Sequence, residues 1–323
     1  MIQTIYMKYL ISIILLIITN LLQSQCNVVN AGNDITLDCS DCQTLTANYT
    51  QTRATNAYLI TPIPYNPLPY NLGTVYNINI DDRWSNVINL PFEFCFFNQT
   101  YTQYVIGTNG IISFNTAYTG LYCPWPFTVP IPNNNPNPPP GFPRPMIGLY
   151  HDIDPSLGGE VRYGITGVYP CRKLVISFSD VPHFNCPIQK SKFQIILFEL
   201  SNIIEIHVER KQTCGSWNGG RACLGIQNAA GNIAYAPAGR NTANYTINTP
   251  EAWRFSPNGV VNSVFSWLDS SGNIVGNSPQ IVICNPNSYI AEVKYNCGSN
   301  TIEYYDTVNV GINTYDLPII HSD

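Results

Sequence analysis

FQIILFELSNIIEIHVE, residues 193–209, decides the fold class. Two apolar runs, Phe193 to Leu200 and Ile203 to Glu209, flank the pair Ser201-Asn202, and in the second run Ile204, Ile206 and Val208 alternate with Glu205, His207 and Glu209. Successive side chains of a strand point to opposite faces, so this period of two predicts a β-hairpin with one buried face and one wet face. The same texture continues in both directions without a helical interval. Upstream, HDIDPSLGGEVRYG (His151 to Gly164) reads as an acidic turn entering a strand, and downstream, GIQNAAGNIAY (Gly225 to Tyr235) reads as strand, turn and strand. An all-β protein is expected.

The chain of 323 residues begins MIQTIYMKYLISIILLIITNLLQSQ, with Lys8 ahead of an apolar run from Leu10 to Leu22 and Ser24 near a plausible cut. This predicts a secretory signal peptide over residues 1–25, with Met7 as a second possible start. The run is too short for a lasting transmembrane helix, which needs about 20 apolar residues, so no membrane span is expected after cleavage. Cys26 stands where a lipid-carrying cysteine would stand, but Gln25 occupies the preceding place where a small residue is required.

Charged residues make up 11% of the chain, against a usual share of about 25%. With 21 Tyr, 25 Pro and 22 Gly, the surface must be built from Asn, Thr, Ser and Tyr. A net charge of −5 and the lack of any basic stripe argue against nucleic acid or an anionic membrane as partner, because phosphate binding needs clustered Lys and Arg. A polar protein or glycan surface suits such a chain better. Eleven cysteines in an exported chain read as disulfides. The pair Cys39 and Cys42 has the spacing of half a zinc site or a redox motif, yet no second CxxC, no CxxH and no βαβ context accompanies it. One cysteine is left over by parity, and Cys26 is the natural candidate.

Outside the central block, Val28 to Ala47 offers two short strands, with Ile35 and Leu37 alternating and Leu45 following. After it come Phe265-Ser-Trp267, a turn at Asp269 to Asn273, and strand signals at Gln280 to Ile283, Ser288 to Tyr295 and Thr301 to Val310. Pro124 to Pro145, PWPFTVPIPNNNPNPPPGFPRP, cannot be a central strand because proline lacks the donor; it reads as a stiff surface loop or a proline ligand.

The succession of the DxD turn at 152–154, Gly158-Gly159, FQxxLxEL at 193–200, NIIEI at 202–206, GxQN at 225–228, APAGRN at 236–241 and WRF at 253–255 resembles the nidogen-type extracellular domain. It is most similar to the version at the front of large surface proteins of gliding and adhesive bacteria of the Bacteroidetes group. The last strands also resemble part of an immunoglobulin-like sandwich. Trp267 lies on an early strand, and Tyr289-Ile-Ala291-Glu-Val293 is similar to the Tyr-x-Cys-x-Val of an F strand, with Ala in place of Cys. Residues 259–313 lack the first strands of that fold, which normally takes about 100 residues. Residues 26–48 are expected to supply them, so that a nidogen-like domain of residues 49–258 is inserted into one discontinuous immunoglobulin-like β-sandwich, ahead of a tail at 314–323.

The resemblance implies an exported, non-enzymatic binding protein, secreted or on the outer cell surface, with a role in adhesion or gliding. It also suggests that Cys39 and Cys42 face Cys284 and Cys297 in some pairing, the alternative being a Cys39–Cys42 bridge. Cys95, Cys123, Cys171, Cys186, Cys214 and Cys223 then remain for the inserted domain, with Cys171–Cys186 the first expectation.

His151, Asp152, Asp154 and Glu160 form the densest ionisable cluster in the sequence. Ca²⁺ takes six to eight oxygens at flexible spacing, which makes Asp152, Asp154 and Glu160 candidate calcium ligands; the plainer reading is an Asp turn capping its own backbone. His183 is read in a proline-containing loop and His207 on the wet face of the hairpin. No HExxH, GxSxG or phosphate-binding glycine loop occurs. Carboxylate pairs drawn from Asp152, Asp154, Glu199 and Glu205 could serve glycoside hydrolysis, so the rival reading is a carbohydrate-active enzyme or its sugar-binding accessory. Trp125, Trp217 and Asn241 are candidate contacts for a sugar or polar surface. Trp253 is read as core, and Arg240 and Arg254 as ties between loops and carboxylates.

Overall fold

The computed structural model describes residues 28–38, 41–76, 80–134 and 143–313. The expected signal peptide, Cys26, Cys39, residues 135–142 of the proline-rich loop and the tail at 314–323 lie outside the described residues.

Two seven-stranded antiparallel sheets form the centre of the molecule. The first runs, in spatial order, Ala234–Tyr235, Arg221–Gln227, Met146–Tyr150, Ile111–Ser113, Gln99–Gly107 and Ile88–Phe96, with Ala243–Asn244 also paired to Arg221–Gln227. The second runs Tyr58–Ile63, Glu251–Pro257, Ile204–Lys211, Cys186–Phe198, Lys173–His183, Glu160–Thr166 and Thr74–Val75. Ile106, Ile112, Leu149 and Leu224 of the first sheet share one continuous core with Ile176, Phe193, Ile195, Ile206 and Phe255 of the second. Phe178 and Phe193 stack at its middle with ring centroids 4.7 Å apart. Burying each such side chain contributes roughly 1.5–3 kcal/mol.

The hairpin expected at residues 193–209 is present, with Ile195 opposite Ile206. Its turn is held from outside, because Asn202 Oδ1 accepts the Cys95 amide at 2.7 Å. Most of the face expected to be wet is covered: Glu205 and His207 are buried and Glu209 is half-buried, with the Asn66 amide on His207, Tyr65 on Glu209 and Arg254 on Glu205. Gln194 fastens the segment around Tyr65 to Tyr70 by taking the Leu68 amide (2.9 Å) and donating to the Leu68 carbonyl (2.8 Å). A polar face covered by backbone thus keeps its hydrogen bonds satisfied.

The ends of the chain build a separate set of sheets. Ile35–Leu37 pairs in parallel with Val310 to Ile312 of the strand Asn300–Ile312, which continues through Asn287–Cys297 and Ser263–Leu268 to Ile274–Gly276. Gln43–Thr46 pairs with Gln280–Ile283 in a second small sheet. Leu37, Leu45, Phe265, Trp267, Ile283, Ala291, Val308 and Val310 form the core between them. Trp267 is fully buried, edge-on to Phe265, and its Nε1 donates to the Pro279 carbonyl at 3.3 Å. Tyr289 donates its hydroxyl to the Asn285 carbonyl at 3.2 Å. Among the described residues, none from Thr36 to Leu45 pairs with the central sheets.

The disulfides differ in part from expectation. Cys42 bonds to Cys284, Cys95 to Cys297 and Cys186 to Cys214. The Cys42–Cys284 bond rules out a Cys39–Cys42 bridge, and Cys297 turns to the central domain and not to the N-terminal cysteines. Cys171 is disulfide-bonded but not to Cys186. The reason lies in strand length. Lys173–His183 is an extended strand of 11 residues, bulged near Asp180, with Cys171 before it and Cys186 after it. At about 3.3 Å per residue its ends are roughly 35 Å apart, whereas a disulfide needs Cα atoms within about 7 Å. Cys123 and Cys223, both expected to be bridged, are free buried thiols packed as small apolar residues.

The Cys95–Cys297 bond joins the two sets of sheets. Around it Tyr295 donates to the Thr50 carbonyl (2.6 Å), Thr52 Oγ1 donates to Asn262 Oδ1 (2.7 Å), and Leu200 packs with Val293 and Tyr295. Replacing both cysteines by Ala should lower the free energy of unfolding by about 2–4 kcal/mol in a urea titration, because the bond closes a long loop in the unfolded chain. An unchanged midpoint would show that the flanking contacts hold the junction unaided.

Candidate functional site

Asn109, fully buried just after the strand Gln99–Gly107, draws three segments to one point. Its Nδ2 donates to Asp82 Oδ1 (2.8 Å) and to the carbonyls of Cys123 (3.0 Å) and Pro124 (3.3 Å), while its Oδ1 accepts the Ile153 amide (3.3 Å). Asp81, Asp82 and Asp152 meet there, each offering one carboxylate oxygen within 4.8 Å of the others. Asp81 Oδ1 accepts the Asp82 amide (2.9 Å), and Asp152 Oδ2 accepts Trp217 Nε1 (2.5 Å). Asp152 is only 6% exposed, and its Oδ1 is buried without a hydrogen-bond partner.

The electrostatics of this cluster are unfavourable as it stands. Burial, reinforced by the neighbouring carboxylates, lifts both Asp81 and Asp152 to about 7, and burial also raises Asp82. Two full charges at such a separation repel by about 3–4 kcal/mol at an effective dielectric constant of about 20, and by less where Asp81 and Asp82 face water. Three other buried acids are paired, Glu199 with Arg172, Glu205 with Arg254 and Glu292 with Lys294, whereas Asp154, also buried, has no ion pair among the described residues and caps a turn. Among the described residues no ion pair reaches Asp81, Asp82 or Asp152.

Of the three carboxylates singled out in the sequence, only Asp152 belongs to this convergence. Asp154 Oδ1 caps the short turn Pro155–Leu157 by accepting the Ser156 amide (2.8 Å), although its charge is felt by the cluster. Glu160 is held by Arg162, whose Nη2 donates to its Oε2 at 3.1 Å. Asp81 and Asp82 carried no periodic signal. The one available hint was an adjacent pair of acids in a charge-poor chain.

An aromatic rim surrounds the carboxylates. Trp217 lies against Trp125 (5.0 Å between centroids) and against Phe184 (5.2 Å), and Asn218 Nδ2 donates to the Trp125 carbonyl (3.3 Å). Both indoles are half-buried, whereas Tyr122, Leu121 and Phe184 are exposed. Asn241 is not part of this face, because its amide is consumed by the backbone of Ile131 (2.6 and 3.0 Å). Trp253 packs against the central core, Arg240 pairs with Glu251, and Arg254 pairs with Glu205.

Behind Asp152 lies a closed polar knot. His151 Nδ1 bonds to the Leu149 carbonyl (2.9 Å), so in the neutral ring Nε2 accepts the Ser191 hydroxyl (2.7 Å), which in turn accepts from His183 Nε2 (3.2 Å). His183 ends the strand Lys173–His183 and is not in a loop. Burial holds His151 well below the usual histidine range and pulls His183 down to about 3. Burial likewise brings Lys211 down to about 7, and its Nζ donates to the carbonyls of Tyr245 (2.7 Å) and Gly220 (3.2 Å). The cavity beside these groups is about 10 Å³, room for about one water, and Ser191 is fully buried. A serine and a histidine in contact, but with no path for a substrate, are a structural network. Glu199 and Glu205, named above for hydrolysis, are spent on arginines.

Residues 48–267 match the family described as NIDO related. The chain belongs to the NIDO-related family. The NIDO-related segment takes in both seven-stranded sheets, the carboxylate cluster and its aromatic rim, and runs on into the strand Ser263–Leu268. No curated protein and no solved structure matches the chain.

The buried histidines set an acid limit. His183 has a folded pKa of about 3, below its ordinary 6.5, so its contribution is complete above pH 6.5 and is lost as the pH falls toward 3. His183→Gln, which keeps a donor for Ser191, should flatten the decline of unfolding free energy over that range by up to about 1.4 kcal/mol per pH unit. Asp81 and Asp152 titrate there with the opposite sign in both proteins, so the difference between denaturant titrations isolates His183.

Proposed function

We propose that this NIDO-related chain is an exported, non-enzymatic binding protein of the cell surface or extracellular space. In this reading the face made by Tyr122, Trp125, Phe184 and Trp217 meets a neutral polar partner, a glycan or a protein surface. The observation that carries it is the tilted pair of half-buried indoles, Trp125 and Trp217, rimmed by the exposed aromatics Tyr122 and Phe184 in a chain with 11% charged residues. Aromatic faces stack on sugar rings and polar surfaces at little cost in side-chain entropy.

Export is supported by the signal-peptide character of residues 1–25 and by disulfides that hold the sheets together, since such bonds persist in oxidising compartments. No helix among the described residues is long and apolar enough to cross a membrane. The outer sheets support an immunoglobulin-like reading of residues 26–48 with 259–313. They place a buried Trp267 at the core and a Tyr289 hydroxyl on a carbonyl just upstream, as such sandwiches do. The similarity to surface proteins of gliding and adhesive Bacteroidetes suggests adhesion or gliding as the setting.

Binding of the mature chain to a glycan array and to intact cells tests this. Trp125→Ala should weaken any hit by about tenfold, the loss of about 1.4 kcal/mol of stacking. No hit on either surface, or a protein found inside the cell by protease shaving, would sink the reading. Turnover of a bound glycan would place the chain with carbohydrate-active enzymes instead.

A further inference from the structure

We propose that Asp81, Asp82 and Asp152 hold a divalent cation, Ca²⁺ in the medium an exported protein meets, at the base of the aromatic face. Converging acids alone would not carry this, because surface carboxylates often cluster. The independent observation is Asp152 Oδ1. It is buried, it takes no hydrogen bond, and it belongs to a side chain only 6% exposed whose other oxygen is fixed by the Trp217 indole. A buried acceptor left without a donor calls for a partner. The ion pairs of the described residues assign none, although Glu199, Glu205 and Glu292 are each neutralised within the chain.

The supporting donors are arranged as a metal site requires. Asn109 holds Asp82 by Oδ1, the Asp82 amide holds Asp81 by Oδ1, and Trp217 holds Asp152 by Oδ2. Each carboxylate is thereby oriented through one oxygen, the role outer hydrogen bonds play for ligating acids. Among the described residues no His or Cys atom joins the cluster, so its chemistry is that of hard oxygen donors. Ligand oxygens within 4.8 Å of one another fall inside the span of about 5 Å that Ca²⁺, binding oxygen at about 2.3–2.6 Å, allows. Three carboxylates leave the remaining positions to water or to a hydroxyl of a bound partner. The competing occupant is a proton, consistent with the raised titration of Asp81 and Asp152.

The site does not depend on the identity of the partner, so it is measured with none present. The full mature chain is stripped with chelator and titrated at neutral pH with CaCl₂, MgCl₂ and TbCl₃, following heat, melting temperature and terbium emission sensitised by the adjacent Trp217. One Ca²⁺ per chain is expected, with a higher melting temperature, a weaker response to Mg²⁺, and terbium emission that Ca²⁺ reverses. Asp81→Asn with Asp82→Asn should weaken Ca²⁺ binding by about tenfold or more. In chelator the same double variant should melt above the wild type, since its repulsion is gone. If it fails to fold, Asp81→Asn alone, at the open side, gives the same comparison. No calcium response up to about 10 mM, well above the millimolar constants of extracellular modules, overturns the site, as does a response unchanged in the variants.

Discussion

Hydrogen bonding between the two ends of the chain is the constraint on which the rest of the structure depends. Ile35–Leu37 has no partner until residues 310–312 arrive beside it, and Gln43–Thr46 none until Gln280–Ile283 does. The central sheets bring this about. Tyr58–Ile63 and Glu251–Pro257 are neighbouring antiparallel strands with Tyr58 opposite Pro257, and Arg53 bridges to Val261 just beyond them. The chain therefore enters and leaves the central domain at adjacent points, so the entropy of closing a very long loop is already spent when the outer strands meet. Domain insertion is favourable in this geometry.

How much of this could be read beforehand follows from how far each interaction reaches. Period-two alternation in Ile204, Ile206 and Val208 is local, and it announced strands and the buried face. The fate of Glu205 and His207 was not local: the Asn66 amide reaches His207 from 141 residues away and Arg254 reaches Glu205 from 49 residues away. Cysteine pairing failed for a related reason. Choosing Cys186 as the partner of Cys171 assumed a short strand between two turns, whereas Lys173–His183 runs on for 11 residues, through a bulge near Asp180, and sends its flanking cysteines to opposite ends. The half of the carboxylate cluster at Asp152 stood out in sequence. The other half, Asp81 and Asp82, becomes visible only when Asn109 gathers the segments.

Charge scarcity gives the site its meaning. In a chain with 15 Lys and Arg and 20 Asp and Glu, many cationic side chains are committed to a named carboxylate across a strand or loop. Exceptions then become informative. Lys211 is buried on carbonyl oxygens, and its burial lowers its affinity for a proton. Asp152 lines the same small cavity as Lys211 without being paired to it. The aromatic rim above Asp152 has a rigid floor because Trp217 is both wall and donor.

The Cys42–Cys284 bond has a mechanical consequence. A pull applied across Ile35–Leu37 and Asn300–Ile312 first loads two parallel strands in shear, and beyond them the shortest covalent route is that single sulfur–sulfur link. Everything between residues 43 and 283, including the aromatic face, is bypassed by the tension. A binding surface placed inside such a shunt keeps its shape while the tether around it is stretched.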